Sequence, residues 1–180
     1  MTFGDEDVIA SYPRLITRTG GKLVVGGAEF VDEGDCFDPD DCIRYRADDV
    51  WQDRYVGVEV SYYEGVDYYL VDNGVFEQIG AKPIFSPSGE RFFAGYHDDS
   101  IWNPHHGAAV WAAEPVLTRL RIVDTGLVMY DSFTAWHGEA CVEFTGARGY
   151  NVALEPVQTF WLAEQDGDWR LFEERPEVCG

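Results

Sequence analysis

The chain has 180 residues, long enough to bury one real core without calling for a second domain. Its 46% hydrophobic and 15% aromatic content excludes a disordered chain. With 13 Lys and Arg against 33 Asp and Glu, the formal net charge is −20, a field that repels phosphate and argues against nucleic acid and against docking on anionic lipid. Solubility is the plain account of that charge, and an acidic docking surface for a basic partner is the alternative.

No run approaches the roughly 18 to 20 apolar residues of a membrane span, so membrane insertion is not expected. Met1 to Asp7 is polar and acidic and does not read as a signal peptide, although such a segment is compatible with having been removed. The stretch Met1 to Tyr12 reads as an acidic arm ending at Pro13. Lys22 to Asp32 reads as a hairpin, because Gly26-Gly27 between two apolar runs tolerates the positive φ of a two-residue turn. Asp32 to Asp41 is dense in carboxylates; a calcium loop is the functional reading, but the spacing is not that of an EF-hand, and a solvated acidic loop is the default.

Four cysteines give an even count with one close pair. The turn residues of Cys36 to Cys42, CFDPDDC, bring the two sulfurs together, so a Cys36–Cys42 disulfide is expected, with two free thiols as the alternative. Such a bridge implies an oxidising compartment, periplasmic or extracellular, against a cytoplasmic alternative. Zinc is disfavoured, since no second close Cys or Cys/His pair completes four ligands.

From Tyr55 to Asp72 the residues alternate with a period of two, which predicts strands. A turn at Gly65-Val66 sets Tyr63 opposite Tyr68 and Tyr62 opposite Tyr69, aromatic pairs that suit packing or, less commonly, a sugar-stacking platform. Further strands are predicted at Val75 to Ile79, Pro83 to Phe85, Arg91 to Tyr96, Ala108 to Ala113, Leu117 to Asp124, Leu127 to Phe133, Glu139 to Gly146, Val157 to Ala163 and Trp169 to Glu173. The turns between them include Asp72-Asn73-Gly74, Ser86-Pro87-Ser88-Gly89 and Gln165-Asp166-Gly167-Asp168. About a dozen short strands without helical periodicity make a single all-β domain of antiparallel meanders, propeller-like or sandwich-like.

A faint repeat pairs Gly89-Glu90 with Gly138-Glu139, 49 positions on, a spacing of propeller-blade length. The run DYYLVDNGVFEQIGAKPIFSPSGERFFAGY resembles the units of propeller-type repeat proteins, in which an SPDG-like turn recurs; Ser88 stands where Asp is usual. More narrowly, FSPSGERFFAGYHDDSIWNPHHGAAVW is similar to a group of uncharacterised bacterial exported proteins. The resemblance covers Tyr55 to about Trp136 and implies export and repeat units but no assigned activity. Two or three units are too few to close an ordinary propeller.

Four places are candidates for function. The loop with His97, Asp98, Asp99, His105 and His106 offers imidazoles and carboxylates for a divalent metal; against that, adjacent His105 and His106 point apart on a strand, and a polar surface loop is the default. His137 occupies the turn of the second repeat unit, where a histidine is usually just solvated. Ser86, Ser88, Ser100 and Ser132 are the serines available to a hydrolase, but no GxSxG elbow is present and turn chemistry accounts for Ser86 to Gly89. The aromatics Trp51, Tyr63, Tyr68, Trp102, Trp111, Trp136, Trp161 and Trp169 divide between core and surface, and Trp102 beside Asn103 in a loop is the usual material of a binding hot spot. The reading favoured is a non-catalytic binding module, without cofactor, for a protein or envelope component, contacting it through His97, Asp98, Asp99, Trp102, Asn103, His105 and His106. The alternative is a metal-dependent or carboxylate-based hydrolase acting on a glycan.

Overall fold

The computed structural model describes residues 4–34, 42–62, 65–96, 107–123, 128–148 and 156–180. Fifteen strands run through these residues, and each pairs, antiparallel, only with its neighbours in sequence. The chain is therefore all-β and built from open meanders, and the described residues add one short helix, α1 (Glu6–Ser11), and a 3-10 turn at Glu177–Cys179. Its contacts fall into two compact units, Met1–Ala81 and Lys82–Gly180.

The first unit holds a three-stranded sheet, β1 (Ile16–Thr19), β2 (Lys22–Val25) and β3 (Ala28–Val31), and a four-stranded one, β4 (Arg44–Trp51), β5 (Tyr55–Tyr62), β6 (Gly65–Asp72) and β7 (Val75–Gln78). Alternation decides which face is covered: β3 buries Ala28 and Phe30 while Glu29 and Val31 face out. Ile16, Leu23, Val25 and Phe30 from the small sheet meet Ala47, Val56, Val58 and Val71 from the larger one in a single core.

Two turns show why these hairpins close where they do. Gly26 and Gly27 have φ of 55° and 98°, and Asn73 and Gly74 have φ of 48° and 82°, the left-handed values a two-residue hairpin turn requires. The β5–β6 hairpin differs from its sequence-based register. Tyr62 pairs with Gly65 and Val58 with Tyr69, so neither expected tyrosine pair forms as drawn; the residues joining the strands lie outside those described. The displacement is four residues along one strand, from Tyr62 to Val58 opposite Tyr69, and an even displacement keeps every side chain on its own face.

Tyr68 packs across Gly57, where an added Cβ would fall 2.1 Å from the phenol oxygen. Its Oη donates to Asp48 Oδ2 at 2.9 Å, and burial first, then the Asp48 carboxylate, pushes the phenol far above its ordinary pKa. The acidic arm is also more ordered than its composition implies. Residues 6–11 form α1, and Asp5 just before it is 1% exposed.

The second unit contains two four-stranded meanders: β8 (Ile84–Phe85), β9 (Arg91–Tyr96), β10 (Gly107–Ala112) and β11 (Thr118–Val123), then β12 (Met129–Trp136), β13 (Cys141–Ala147), β14 (Gln158–Gln165) and β15 (Asp168–Phe172). Phe93 and Val110 from the first meet Val142, Phe144, Phe160 and Leu162 from the second. Phe93 lies 5.7 Å from Phe144, and Phe144 stacks on Phe160 at 5.8 Å, so the rings run through the middle of that core.

A polar latch joins the tips of these two sheets. Ser86 to Gly89 is the turn read from the sequence, closed by the Gly89 N–H to Ser86 carbonyl bond of 2.9 Å. Glu139, in the β12–β13 turn, accepts 2.8 Å bonds from the Ser88 N–H and the Ser88 hydroxyl. Arg91 donates to the Glu139 carbonyl at 2.8 Å and to Glu164 at 2.7 Å, and Trp136 Nε1 donates to the Ile84 carbonyl at 3.0 Å.

Cys141 on β13 and Cys179 in the terminal 3-10 turn form a disulfide across 38 residues of sequence, both sulfurs buried beside Ala163, Trp161 and Phe172. Cys42 is disulfide-bonded as well; Cys36, its expected partner, lies outside the described residues. No helix among the described residues is long and apolar enough to cross a membrane.

Replacing Cys141 and Cys179 together by Ser releases a 38-residue loop, and the expected loss is about 2–4 kcal/mol, read as a lower urea midpoint of the full chain. Glu139 carries a pH dependence. Its slight desolvation raises its pKa, but hydrogen bonds from Ser86 and Ser88 and the charge of Arg91 outweigh that and hold it below its ordinary value of 4.5. A folded-state pKa depressed in this way stabilises the protein above pH 4.5 and ceases to do so as pH falls through the folded value. Glu139→Gln should therefore be less stable than the native chain at neutral pH, and the difference should shrink on acidification below pH 4.5, measured by denaturant titration at several pH values.

Candidate functional site

Arg18 on β1 determines the local structure from which a cleft in the first unit is built. Its guanidinium is 10% exposed and lies 2.9 Å from Asp5 and 3.4 Å from Asp32. It also donates to the Tyr45 carbonyl, while Asp32 Oδ1 accepts the Tyr45 N–H at 3.0 Å. One buried cation thus fastens the approach to α1, the end of β3 and the start of β4, and it sets the backbone of Tyr45 from both sides. Immediately before that point Glu33 and Ile43 exchange two backbone bonds of 3.0 Å, which hold Glu33 at the same level.

The cleft that results has a volume of about 320 Å³ and is lined by Glu29, Phe30, Val31, Glu33, Tyr45, Tyr69 and Phe76. These residues come from β3, the β3–β4 connection, β4, β6 and β7. Phe30 is the floor: its ring centroid is 5.3 Å from Tyr45, 6.0 Å from Tyr69 and 5.3 Å from Phe76, with interplanar angles of 42°, 44° and 56°. Tyr69 and Phe76 meet edge to face at 86°. The rings are therefore walls of a concavity and not one flat plate. Val31, 52% exposed, and Phe76, 47% exposed, form an open apolar lip.

Carboxylates give the cleft its sign. Glu29 is paired with Lys22 at 2.5 Å on the solvent side, with both side chains about half exposed. Glu33 has no ion-pair partner among the described residues. Burial first, then the charges of Glu33 and Asp32, raises the Tyr45 pKa above its ordinary value; burial first, then Asp67, does the same for Tyr69. Both phenols stay neutral at physiological pH, and the charges that add to the effect of burial are negative. Asp67, 4% exposed, is held beneath Tyr69 by the Tyr68 N–H at 2.6 Å and by Gln78 Nε2.

The sequence-based candidates are distributed differently. His97, Asp98, Asp99, Ser100, Trp102, Asn103, His105, His106 and Tyr63 all lie outside the described residues. Among the described residues no group of three or more His, Cys, Asp or Glu could hold a metal ion. Ser86 is buried in its turn and Ser88 is bonded to Glu139, so both serve the latch. Ser132 Oγ shares a 2.7 Å hydrogen bond with Thr145. His137 Nε2 lies 2.7 Å from Glu143, with Arg175 3.5 Å from its Nδ1, an arrangement that ties the turn histidine to its neighbours.

Of the aromatics, Tyr68, Trp111 and Trp169 are buried, Trp136 belongs to the latch and Trp161 packs beside the disulfide. The cleft residues Phe30, Tyr45 and Phe76 were not singled out by sequence reasoning. Each sits at ordinary strand spacing, and only strand pairing joins positions 30, 45, 69 and 76 into one wall. Comparison with protein-family models, with curated proteins and with solved structures returned no match.

Replacing Arg18 leaves Asp5 and Asp32 as buried carboxylates without their cation. Arg18→Leu should cost about 3–5 kcal/mol, read in chemical denaturation, and should disturb the Tyr45 ring resonances in the NMR spectrum before global unfolding.

Proposed function

We propose that the protein is an exported, non-catalytic binding module for a protein or another component of the cell envelope, engaged through the aromatic cleft of the first unit. The observation that carries this reading is the cleft itself: an exposed lip of Val31 and Phe76 over a floor of Phe30, walled by two tyrosines whose backbones are fixed. Half-exposed aromatics next to a preformed concavity are the material of binding hot spots, because they bury large area at little cost in side-chain freedom. The disulfide between Cys141 and Cys179 supports an oxidising compartment, periplasmic or extracellular. Three successive four-stranded meanders support a propeller-type repeat reading of the chain.

The test is sedimentation of purified protein with isolated envelope material from the producing cell. The native chain should pellet with the material, and Phe76→Ala should pellet about tenfold less readily, the effect of removing one ~1.4 kcal/mol anchor. Equal sedimentation of the two proteins would overturn the cleft as the contact surface. Release of soluble sugar fragments from the material would favour a glycan hydrolase instead.

A further inference from the structure

The shape and the sign of the cleft together restrict what enters it. A pyranose chair lays its apolar C–H face against a broad flat aromatic surface, whereas the rings here are inclined to one another by 42° to 86° and enclose a small concavity. At about 320 Å³ the cleft lies at the lower end of the range for ligand pockets, so it admits one compact group and not a whole extended molecule. Aromatic faces present negative quadrupole potential, and Glu29 and Glu33 add formal negative charge at the rim. The whole chain, at −20, raises the local concentration of cations and repels anions.

A compact cation that pays little to shed its water satisfies all of these conditions, and an alkylated ammonium is such a group. A primary ammonium is strongly hydrated and is better served by exposed carboxylates than by phenyl walls. An anion bonded close to the cation would be pressed against Glu29 and Glu33, so a zwitterionic head group is disfavoured.

We propose that the cleft formed by Phe30, Tyr45, Tyr69 and Phe76, rimmed by Glu29 and Glu33, binds a choline-type alkylated ammonium group carried on a molecule with no anion adjoining it. This rests on the reading of the cleft as a binding site. Phe30 and Tyr69 receive the alkyl surface, Phe76 closes over it from the exposed side, and Glu33 supplies the balancing charge. Lys22 already neutralises part of Glu29, whereas the Glu33 carboxylate has no ion pair among the described residues, the nearby Arg44 guanidinium donating instead to the Glu33 and Gly34 carbonyls.

The experiment titrates the full chain with choline, with phosphocholine and with 3,3-dimethyl-1-butanol, the neutral isostere of choline, while the resonances of Tyr45, Tyr69 and Phe76 are followed by NMR. Choline should bind at least about tenfold more tightly than the neutral isostere and more tightly than phosphocholine, in line with a desolvated cation–aromatic contact reinforced by carboxylate charge. Glu33→Gln should weaken choline binding severalfold with little effect on the isostere, and Phe76→Ala should weaken both; an unchanged thermal melting profile excludes misfolding as the cause. Equal affinity for choline and the isostere would overturn the ammonium assignment while leaving the cleft a binding site. Failure of all three probes to move any cleft resonance would overturn this assignment, and the envelope sedimentation result would then decide separately whether the cleft binds anything else.

Discussion

A single buried guanidinium carries much of the order in the first unit. Arg18 is almost fully enclosed, and Asp5, Asp32 and the Tyr45 carbonyl help make a charge in that position tolerable. The partners lie on three different pieces of chain, so satisfying one cation requires all three to be in place. That is a constraint of specificity more than of raw stability: apolar residues of similar volume could fill the space, but they would not dictate which backbone atoms meet. The cleft inherits its geometry from this arrangement, because Tyr45 is bonded at both its N–H and its carbonyl before its ring is placed.

The second unit solves a comparable problem with the roles reversed. Its interior is a run of stacked rings, Phe93, Phe144 and Phe160, which supplies cohesion without direction. Direction comes from the periphery, where Glu139 reaches the turn of the other sheet and Arg91 bonds to both Glu139 and Glu164. Two hairpin tips that the chain separates by about 50 residues are thereby held in one register. The disulfide at Cys141 secures the far end of the chain to β13.

Much of the fold could be read from the residues, and the failures have physical causes. Gly26-Gly27, Asn73-Gly74 and Asp166-Gly167 mark their turns because those backbones need positive φ, a demand few residues meet. The β5–β6 register escaped because a displacement by four residues leaves the inside and outside faces unchanged, so the hydrophobic pattern cannot choose between the two pairings. Strand β4, RYRADDVW, buries only Ala47 and carries ion pairs such as Arg46 with Glu59 at 2.9 Å, so it lacks the apolar alternation that announces a strand. Helix α1 has six residues and buries none of them, too little for a helical period to register. The cleft was illegible for a further reason: its rings are contributed by β3, β4, β6 and β7, and no local pattern records which strands become neighbours.

The tyrosine that lies across Gly57 makes two positions behave as one. With an added Cβ falling 2.1 Å from the Tyr68 oxygen, no larger side chain fits at 57 while the ring stays where Asp48 holds it. A smaller residue at 68 would open the space but take the phenol hydrogen bond from Asp48, leaving it with its Arg46 ion pair, and empty part of a covered sheet face. Descent with modification can therefore alter this pair only by a concerted exchange, so the glycine, the residue with the least chemistry of its own, is as firmly tied to its place as the tyrosine above it.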